Sequence, residues 1–301
     1  MKAKLLLATL GLLLGSTVLT GCLSSSLTAD EVMQRSARAL SGLNSFHYQA
    51  DLELSGNLPT NLVENLTQTK IRLGGDVNSR DLSSPKFTVT AQIEAVAKGG
   101  PVSIAGELVS LADETYFKLT SLVLPTLLPV SLGADSRWYK IRHPNGGDET
   151  NKLGTNQVAE LTPEQLVKIK EVIAGHPLFV VEETYSDETV GGQRSYHYRA
   201  KLDPNNPNYV VTQLAQVMQL DNLNINADKL SGYVFDVWIS KRSFQITRLA
   251  VSDIYLNNGV PIGFQLDLII TRHNEALPIQ APTVSEELDS ENPLFLPGLG
   301  L

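Results

Sequence analysis

Apolar and polar residues alternate along most of the chain, as they do in β-strands with one buried face. This alternation predicts strands over 46–54, 87–95, 102–108, 112–119, 137–143, 178–185, 194–202, 233–239, 246–255 and 264–270. Because half-buried strands are typical of antiparallel sheets, the sequence predicts an antiparallel meander with one apolar face.

Three further segments carry apolar residues at helical spacing. The first starts with a capping box, in which Thr28 is the N-cap and Glu31 follows three residues later, and it is predicted over 29–42. The second begins at Pro163, and the third follows the DPNNP turn at 203–207. The apolar stripes of these two helices include Leu166, Ile169, Leu214 and Val217.

The N-terminal residues have the order of a secretory leader, with lysines first, then a leucine-rich run, then small residues. The chain's single cysteine, Cys22, ends the stretch LTGC, which resembles the bacterial lipobox. In that signal the cysteine sulfur receives a diacylglyceryl group and cleavage falls before the cysteine. We therefore expect a signal peptide over 1–21, a covalent diacylglycerol on Cys22 and a tether over 22–27. This expectation places the protein in the cell envelope, on the outer side of the cytoplasmic membrane or in the outer membrane.

The overall charge limits the choice of partners. The formal net charge is −8 and the pI is near 5.2, which argues against binding to nucleic acid. With one cysteine no internal disulfide forms, so the fold depends on its core. The acidic, proline- and glycine-rich stretch over 283–301 predicts a disordered tail after one domain over 28–282.

Catalytic and metal-binding patterns are missing from the sequence. It contains no GxSxG, HExxH, GxxxxGK[ST] or GxGxxG motif, and its five histidines are scattered. The loop over 143–149 offers Asp148 and Glu149, too few ligands for calcium. We therefore predict no catalytic residue, no metal and no cofactor other than the lipid on Cys22. A hydrolase with a dispersed site is the least favoured hypothesis.

Four stretches resemble the LppX/LprAFG lipoprotein family, whose relatives by fold include LolA and LolB. They are ADEVMQRSARALSGLNSFHYQADLELSG (29–56), ETVGGQRSYHYRAKL (188–202), YVFDVWISKRSFQITRLAVS (233–252) and NEALPIQAP (274–282). The resemblance weakens over 118–140, which is longer and more apolar than the family pattern.

The resemblance implies an α+β fold, in which helices cover the concave face of a strongly curved antiparallel half-barrel sheet. It also implies an apolar cavity that holds acyl chains, and a protein that carries lipid or lipoglycan across the envelope without chemistry. The partners would be the membrane, through the anchor, a lipid or glycolipid ligand, and an envelope transporter.

The walls of such a cavity would come from the inward side of the alternating strands and from the helices. The expected lining residues are Leu52, Val89, Ile104, Val237 and Leu266 from the sheet, with Leu166, Ile169, Leu214 and Val217 from the helices. The proline-interrupted segment 122–132 fits equally a lip at the cavity mouth and a loop packed on the core. The sequence does not separate a hollow interior from a filled one, so an envelope scaffold or adhesion lipoprotein with a filled core is the alternative.

Overall fold

The computed structural model describes residues 27–58, 66–82, 84–97, 100–111, 114–123, 137–142, 163–175, 177–202, 232–257 and 260–287. The signal peptide, Cys22, the third predicted helix with Leu214 and Val217, the loop over 143–149 and all but the first two residues of 122–132 lie outside these ranges. What the sequence predicts for those segments stays a prediction.

The described chain is mainly one large sheet with helix α1 on one of its faces. Helix α1 spans Ala29–Ser41 and helix α2 spans Pro163–Gly175. The strands are β1 Ser45–Leu58, β2 Leu66–Asn78, β3 Lys86–Ala97, β4 Gly100–Ser110, β5 Glu114–Val123, β6 Tyr139–Arg142, β7 Phe179–Thr184, β8 Glu188–Val190, β9 Gln193–Leu202, β10 Val234–Ser240, β11 Ile246–Asn257, β12 Val260–Thr271 and β13 Glu286–Glu287. No helix within these ranges has the length and apolar character that crossing a membrane requires.

The strand order is β13-β6-β5-β4-β3-β2-β1-β12-β11-β10-β9-β7, and β8 also pairs with β9. All neighbours are antiparallel except β13 and β6. Over the described residues the sheet stays open, with β13 and β7 at its two ends. The predicted α+β class with a mainly antiparallel sheet is therefore confirmed, whereas the covering of a concave face by helices stays a prediction.

Strand β2 was missed by the sequence prediction. The glycine pair at Gly74 and Gly75 is typical of a turn, yet it lies inside the strand. A Cβ atom on Gly75 would lie 1.9 Å from the carbonyl oxygen of Thr88 on β3, so the two backbones approach too closely for any side chain. Glycine thus permits close packing of β2 on β3 at this point.

Helix α1 begins as its sequence predicts. The Thr28 hydroxyl accepts a hydrogen bond from the Glu31 backbone N–H at 3.2 Å, and the Glu31 carboxylate accepts one from the Thr28 backbone N–H at 2.8 Å. The Thr28 hydroxyl also donates to the Glu31 carboxylate at 3.1 Å, and the bonds from the Thr28 backbone N–H and hydroxyl lower the pKa of the Glu31 carboxyl. The helix ends at Ser41, with Gly42 as its C-cap.

The apolar side of α1 packs on the sheet in a closely filled core. Val32 and Met33 of the helix lie against Val237 and Ile239 of β10, and burial raises the pKa of the neighbouring Tyr198 to about 12. The cavity beneath α1 is about 10 Å³, at the lower limit of the space that one water molecule needs. The described residues therefore fill this end of the sheet closely.

Asn274 joins the end of α1 to the first and last long strands. It follows β12 with a positive φ of 57°, and its backbone N–H donates to the carbonyl of Ser45 at 2.7 Å. Its side chain accepts from the Asn44 N–H at 2.8 Å and donates to the Gly42 carbonyl at 3.2 Å. The neighbouring His273 has its pKa lowered mainly by burial, which favours the neutral ring.

The segment that follows β12 runs across the sheet to the edge formed by β6. Leu277 and Ile279 are buried, and Ile279 packs on Val109 and Tyr116. The chain then forms β13, whose register pairs Glu286 with Tyr139 of β6. Residues 286–287 of the stretch predicted as a disordered tail over 283–301 thus pair with β6, and the remainder from 288 lies outside the described residues.

Candidate functional site

One face of the sheet carries an unbroken row of apolar side chains across ten strands. Each member is the direct cross-strand partner of the next. In spatial order the apolar row is Val181, Ala200, Phe235, Val251, Leu266, Leu52, Ile71, Ile93, Ile104 and Leu122. We call this side of the sheet the apolar face.

The adjacent row of cross-strand partners points to the opposite face and is mainly polar, since successive side chains of a strand alternate between faces. In the same spatial order the polar row is Glu183, Arg199, Asp236, Ala250, Asp267, Asp51, Arg72, Gln92, Ala105 and Ser121. Arg72 lies 3.7 Å from both Asp51 and Glu94, and Arg248 lies 2.7 Å from Asp267. The two faces therefore differ sharply in polarity.

Only part of the apolar face has side chains that are as fully buried as those of a normal protein core. Beneath α1 the side chains are fully buried, as at Val237 and Ile239. On the half formed by β1 to β4, Leu52, Ile71 and Ile93 are only partly buried, whereas Ala95 and Val102 farther along the same face are buried. Leu73 keeps 38% of its surface exposed and Phe87 keeps 39%. Because exposed apolar area of this extent is unfavourable in water, this half is the best candidate for a binding surface.

The structure brings all five predicted sheet residues to the apolar face. Leu52, Ile104 and Leu266 belong to the apolar row itself. Val89 lies nearer the α1 end of β3, and Val237 lies in the next row on the same face. Val237 is 0% exposed in the core beneath α1, so its side chain fills space and leaves none.

The predicted helical residues fall in different places. Ile169 is partly buried on α2, which packs against α1. Lys170 of the same helix donates to the Asn44 side chain at 2.6 Å. The side chain of Leu166, like Leu214 and Val217, lies outside the described residues.

Sequence reasoning missed Ile71, which completes the apolar row between Leu52 and Ile93. The signal was present as the alternation of Thr69, Ile71 and Leu73 with charged residues. It was overlooked because the glycine pair that follows resembles a turn.

A groove of about 420 Å³ lies at the end of the sheet that is farther from the α1–β1 junction, and most of its lining residues belong to the polar face, among them Glu53, Lys70 and Gln265. Its lining includes Leu54, Thr69, Asp253, Gly263 and Phe264. The ring of Phe264 meets Tyr233 edge to face, with centroids 5.2 Å apart. The groove is thus lined mainly by polar residues, unlike the apolar walls that are typical of a ligand site.

The polar face holds a cluster of stacked rings and ion pairs in which His197, Trp238 and Arg248 each have hydrogen-bond partners. His197 stacks on Trp238 with ring centroids 4.2 Å apart, and the Trp238 indole N–H donates to Glu188 at 2.9 Å. Arg248 donates two hydrogen bonds to Asp267, and these bonds raise the pKa of the guanidinium. Among the described residues, no group of three His, Cys, Asp or Glu side chains is placed to hold a metal ion. We assign this cluster a structural role.

No protein-family model and no curated protein matches the chain. The chain is similar in structure to LprF from Mycobacterium bovis, at 13% identity over 84% of this chain and 96% of LprF, with a TM-score of 0.44. LprF is a member of the LppX/LprAFG family that the four stretches resemble.

Two other solved structures are more distant. The MucA/MucB complex of Pseudomonas aeruginosa is matched at 11% identity over 84% of this chain and 62% of that one, with a TM-score of 0.25. A LolA-superfamily protein from Nitrosomonas europaea is matched at 8% identity over 85% and 99% of the two chains, with a TM-score of 0.21. At these scores the likeness carries no argument about function, which has to come from the residues of the sheet.

Proposed function

We propose that the protein binds the acyl chains of lipids on the apolar face of its sheet. The unbroken apolar row across ten strands, opposed by a polar row on the other face, is the observation that carries this proposal. Among the described residues, α1 packs on β9 and β10, whereas the apolar row continues to Leu122 of β5.

The energetics favour an extended apolar surface as an acyl site. Complete removal of a chain of about 16 carbons from water is worth roughly 12 kcal/mol, at about 0.8 kcal/mol for each buried CH₂, and a chain that lies on one face of a sheet gains part of this. The core beneath α1 is filled, so the chain would lie on the half formed by β1 to β5. In that half, Leu73 and the partly buried Ile71 and Ile93 leave apolar surface exposed to water.

The wider role follows from the leader. We propose that Cys22 is lipidated, that the domain is tethered to an envelope membrane, and that it carries lipid or lipoglycan without chemistry. The LTGC stretch and the polar outer face support a tethered domain in an aqueous compartment of the envelope. An envelope transporter is the partner that such a carrier would require to receive or deliver its ligand.

The filled core beneath α1 favours a second candidate, an envelope scaffold or adhesion lipoprotein. The two candidates differ in one measurable property. A carrier takes up hydrocarbon in solution, whereas a scaffold with a filled interior does not.

Two neighbouring residues of β4 test where the acyl chain binds. Ile104→Gln places an amide on the apolar face, whereas Ala105→Gln places the same amide on the polar face, beside Gln92. We expect Ile104→Gln to weaken binding of pyrene-labelled decane by about tenfold, because burial of an amide without a partner costs about 1–3 kcal/mol. Fluorescence titration of the purified protein measures the affinity.

Ala105→Gln is the matched control and should bind as the wild type does. Circular dichroism of both variants checks that the sheet is intact. Equal loss in both variants, or no loss in either, would place the hydrocarbon elsewhere on the protein. Absence of binding to the wild type would favour the scaffold.

A further inference from the structure

Tyr48 brings a hydroxyl group to the apolar face. It follows the alternation of β1 that places Leu52 on this face, and its cross-strand partners are Gly75 of β2 and Ile270 of β12. The side chain is only partly buried, and among the described residues its hydroxyl has no hydrogen-bond partner. The hydroxyl also remains accessible to solvent, whereas that of Thr69 on the same face is buried.

The packing of Tyr48 explains its ring but not its hydroxyl. The Cε1 atom of the ring lies 3.2 Å from the position that a Cβ atom on Gly75 would occupy, so the ring covers this glycine. The ring also lies beside Phe46, with centroids 6.3 Å apart. Because phenylalanine would make both contacts equally well, the hydroxyl calls for another explanation.

Tyr48 lies between two of the most exposed apolar side chains on the half formed by β1 to β4. Leu73, which is 38% exposed, lies two residues from Gly75 along β2. On the other side of Gly75, Val77 pairs with Phe87, which is 39% exposed. An acyl chain that covers Leu73 and Phe87 therefore passes over Tyr48 and removes its hydroxyl from water.

We infer that the Tyr48 hydroxyl donates a hydrogen bond to the carbonyl oxygen at the head of a bound acyl chain. This inference rests on the proposed function and names a polar contact of the same site. A plain hydrocarbon that covered the hydroxyl would leave it without a partner, which is unfavourable. A carbonyl oxygen at that position accepts the hydrogen bond, and both an esterified acyl chain and a free fatty acid supply one.

The surroundings of Tyr48 keep its hydroxyl in the donor form. Burial, and after it the negative charge of Asp76, raise the pKa of Tyr48 above its usual value. The phenol therefore carries its proton at neutral pH and has a hydrogen to donate.

Three probes with one pyrene-labelled chain test the contact: pyrene-decane, methyl pyrene-decanoate and pyrene-decanoic acid. The wild type should bind at least one carbonyl probe more tightly than the decane, and the tighter of the two identifies the source of the carbonyl, an ester or a free acid. Tyr48→Phe keeps the ring and removes the donor. It should weaken binding of that carbonyl probe by about fivefold, the effect of one hydrogen bond, without weakening binding of the decane.

Tyr185→Phe is the matched control, because it also removes a single phenol oxygen. Tyr185 lies on the polar face beside His197, and its hydroxyl donates to Glu183 at 2.7 Å. Its replacement should change none of the three affinities.

The melting temperature without lipid checks that the Tyr48 hydroxyl is unpaired in the free protein. Tyr48→Phe should melt within about 2 °C of the wild type, because the change breaks no hydrogen bond within the fold. A larger decrease would show that the hydroxyl is bonded within the fold, and it would overturn the inference.

Two binding results would also overturn the inference. One is an equal change in carbonyl-probe and decane affinity in Tyr48→Phe, or no change in either. The other is a wild type that binds the decane at least as tightly as both carbonyl probes. If the wild type bound none of the three probes, the proposed function itself would fail.

Discussion

Replacement of Ile239 by alanine is expected to lower the free energy of unfolding by about 2–5 kcal/mol. Ile239 is 0% exposed and lies in the cluster that joins α1 to β9 and β10, where it packs with Val32 and Met33. The cavity beneath α1 is only about 10 Å³, so the atoms removed leave a new void that close packing cannot readily fill. Urea unfolding followed by circular dichroism measures the change.

Val167→Ala is the control for this prediction. Val167 lies on α2 with 45% of its surface exposed, and its truncation should cost less than about 1 kcal/mol. If Ile239→Ala destabilised the protein no more than Val167→Ala does, the core beneath α1 would not be filled as described.

Asn274→Ala is expected to lower the free energy of unfolding by about 2–3 kcal/mol, although Asn274 is exposed. Two effects add here. The variant loses both side-chain hydrogen bonds to the end of α1. It also places alanine at a φ of 57°, a left-handed backbone conformation that asparagine tolerates better than alanine does.

Asn274→Gly separates these two effects. Glycine adopts a positive φ without steric strain, so this variant should lose the hydrogen bonds alone and be about 1 kcal/mol more stable than Asn274→Ala. Thermal unfolding of the three proteins gives the ranking. If both variants unfolded at the wild-type temperature, Asn274 would not hold the junction between α1, β1 and β12.

Much of the sheet was predictable, because period-two alternation is a direct consequence of one buried face. The start of α1 was also predictable, since a capping box needs only the local pair Thr28 and Glu31. Strand β2 was not, because Gly74 and Gly75 are read as a turn when the neighbouring strand is unknown. The closeness of Gly75 to Thr88 arises from pairing between strands, and no local pattern contains it.

The candidate site shows a similar division. Alternation predicted that Leu52, Ile104 and Leu266 lie on the apolar side of their own strands, and the strand registers put them in a single row on one face. Alternation does not show how deeply each side chain is buried. Val237 and Leu52 follow the same pattern, yet α1 buries the first completely and leaves the second partly exposed.

Photolabelling with an ester lipid that carries a diazirine within its acyl chain tests most directly whether the apolar face binds acyl chains. After digestion, mass spectrometry should find the label on Leu52, Ile71, Ile93 and Ile104, and excess unlabelled ester lipid should suppress it. Labelling of the polar row around Arg72 and Gln92, or labelling that excess lipid does not reduce, would contradict the proposal that acyl chains lie on the apolar face.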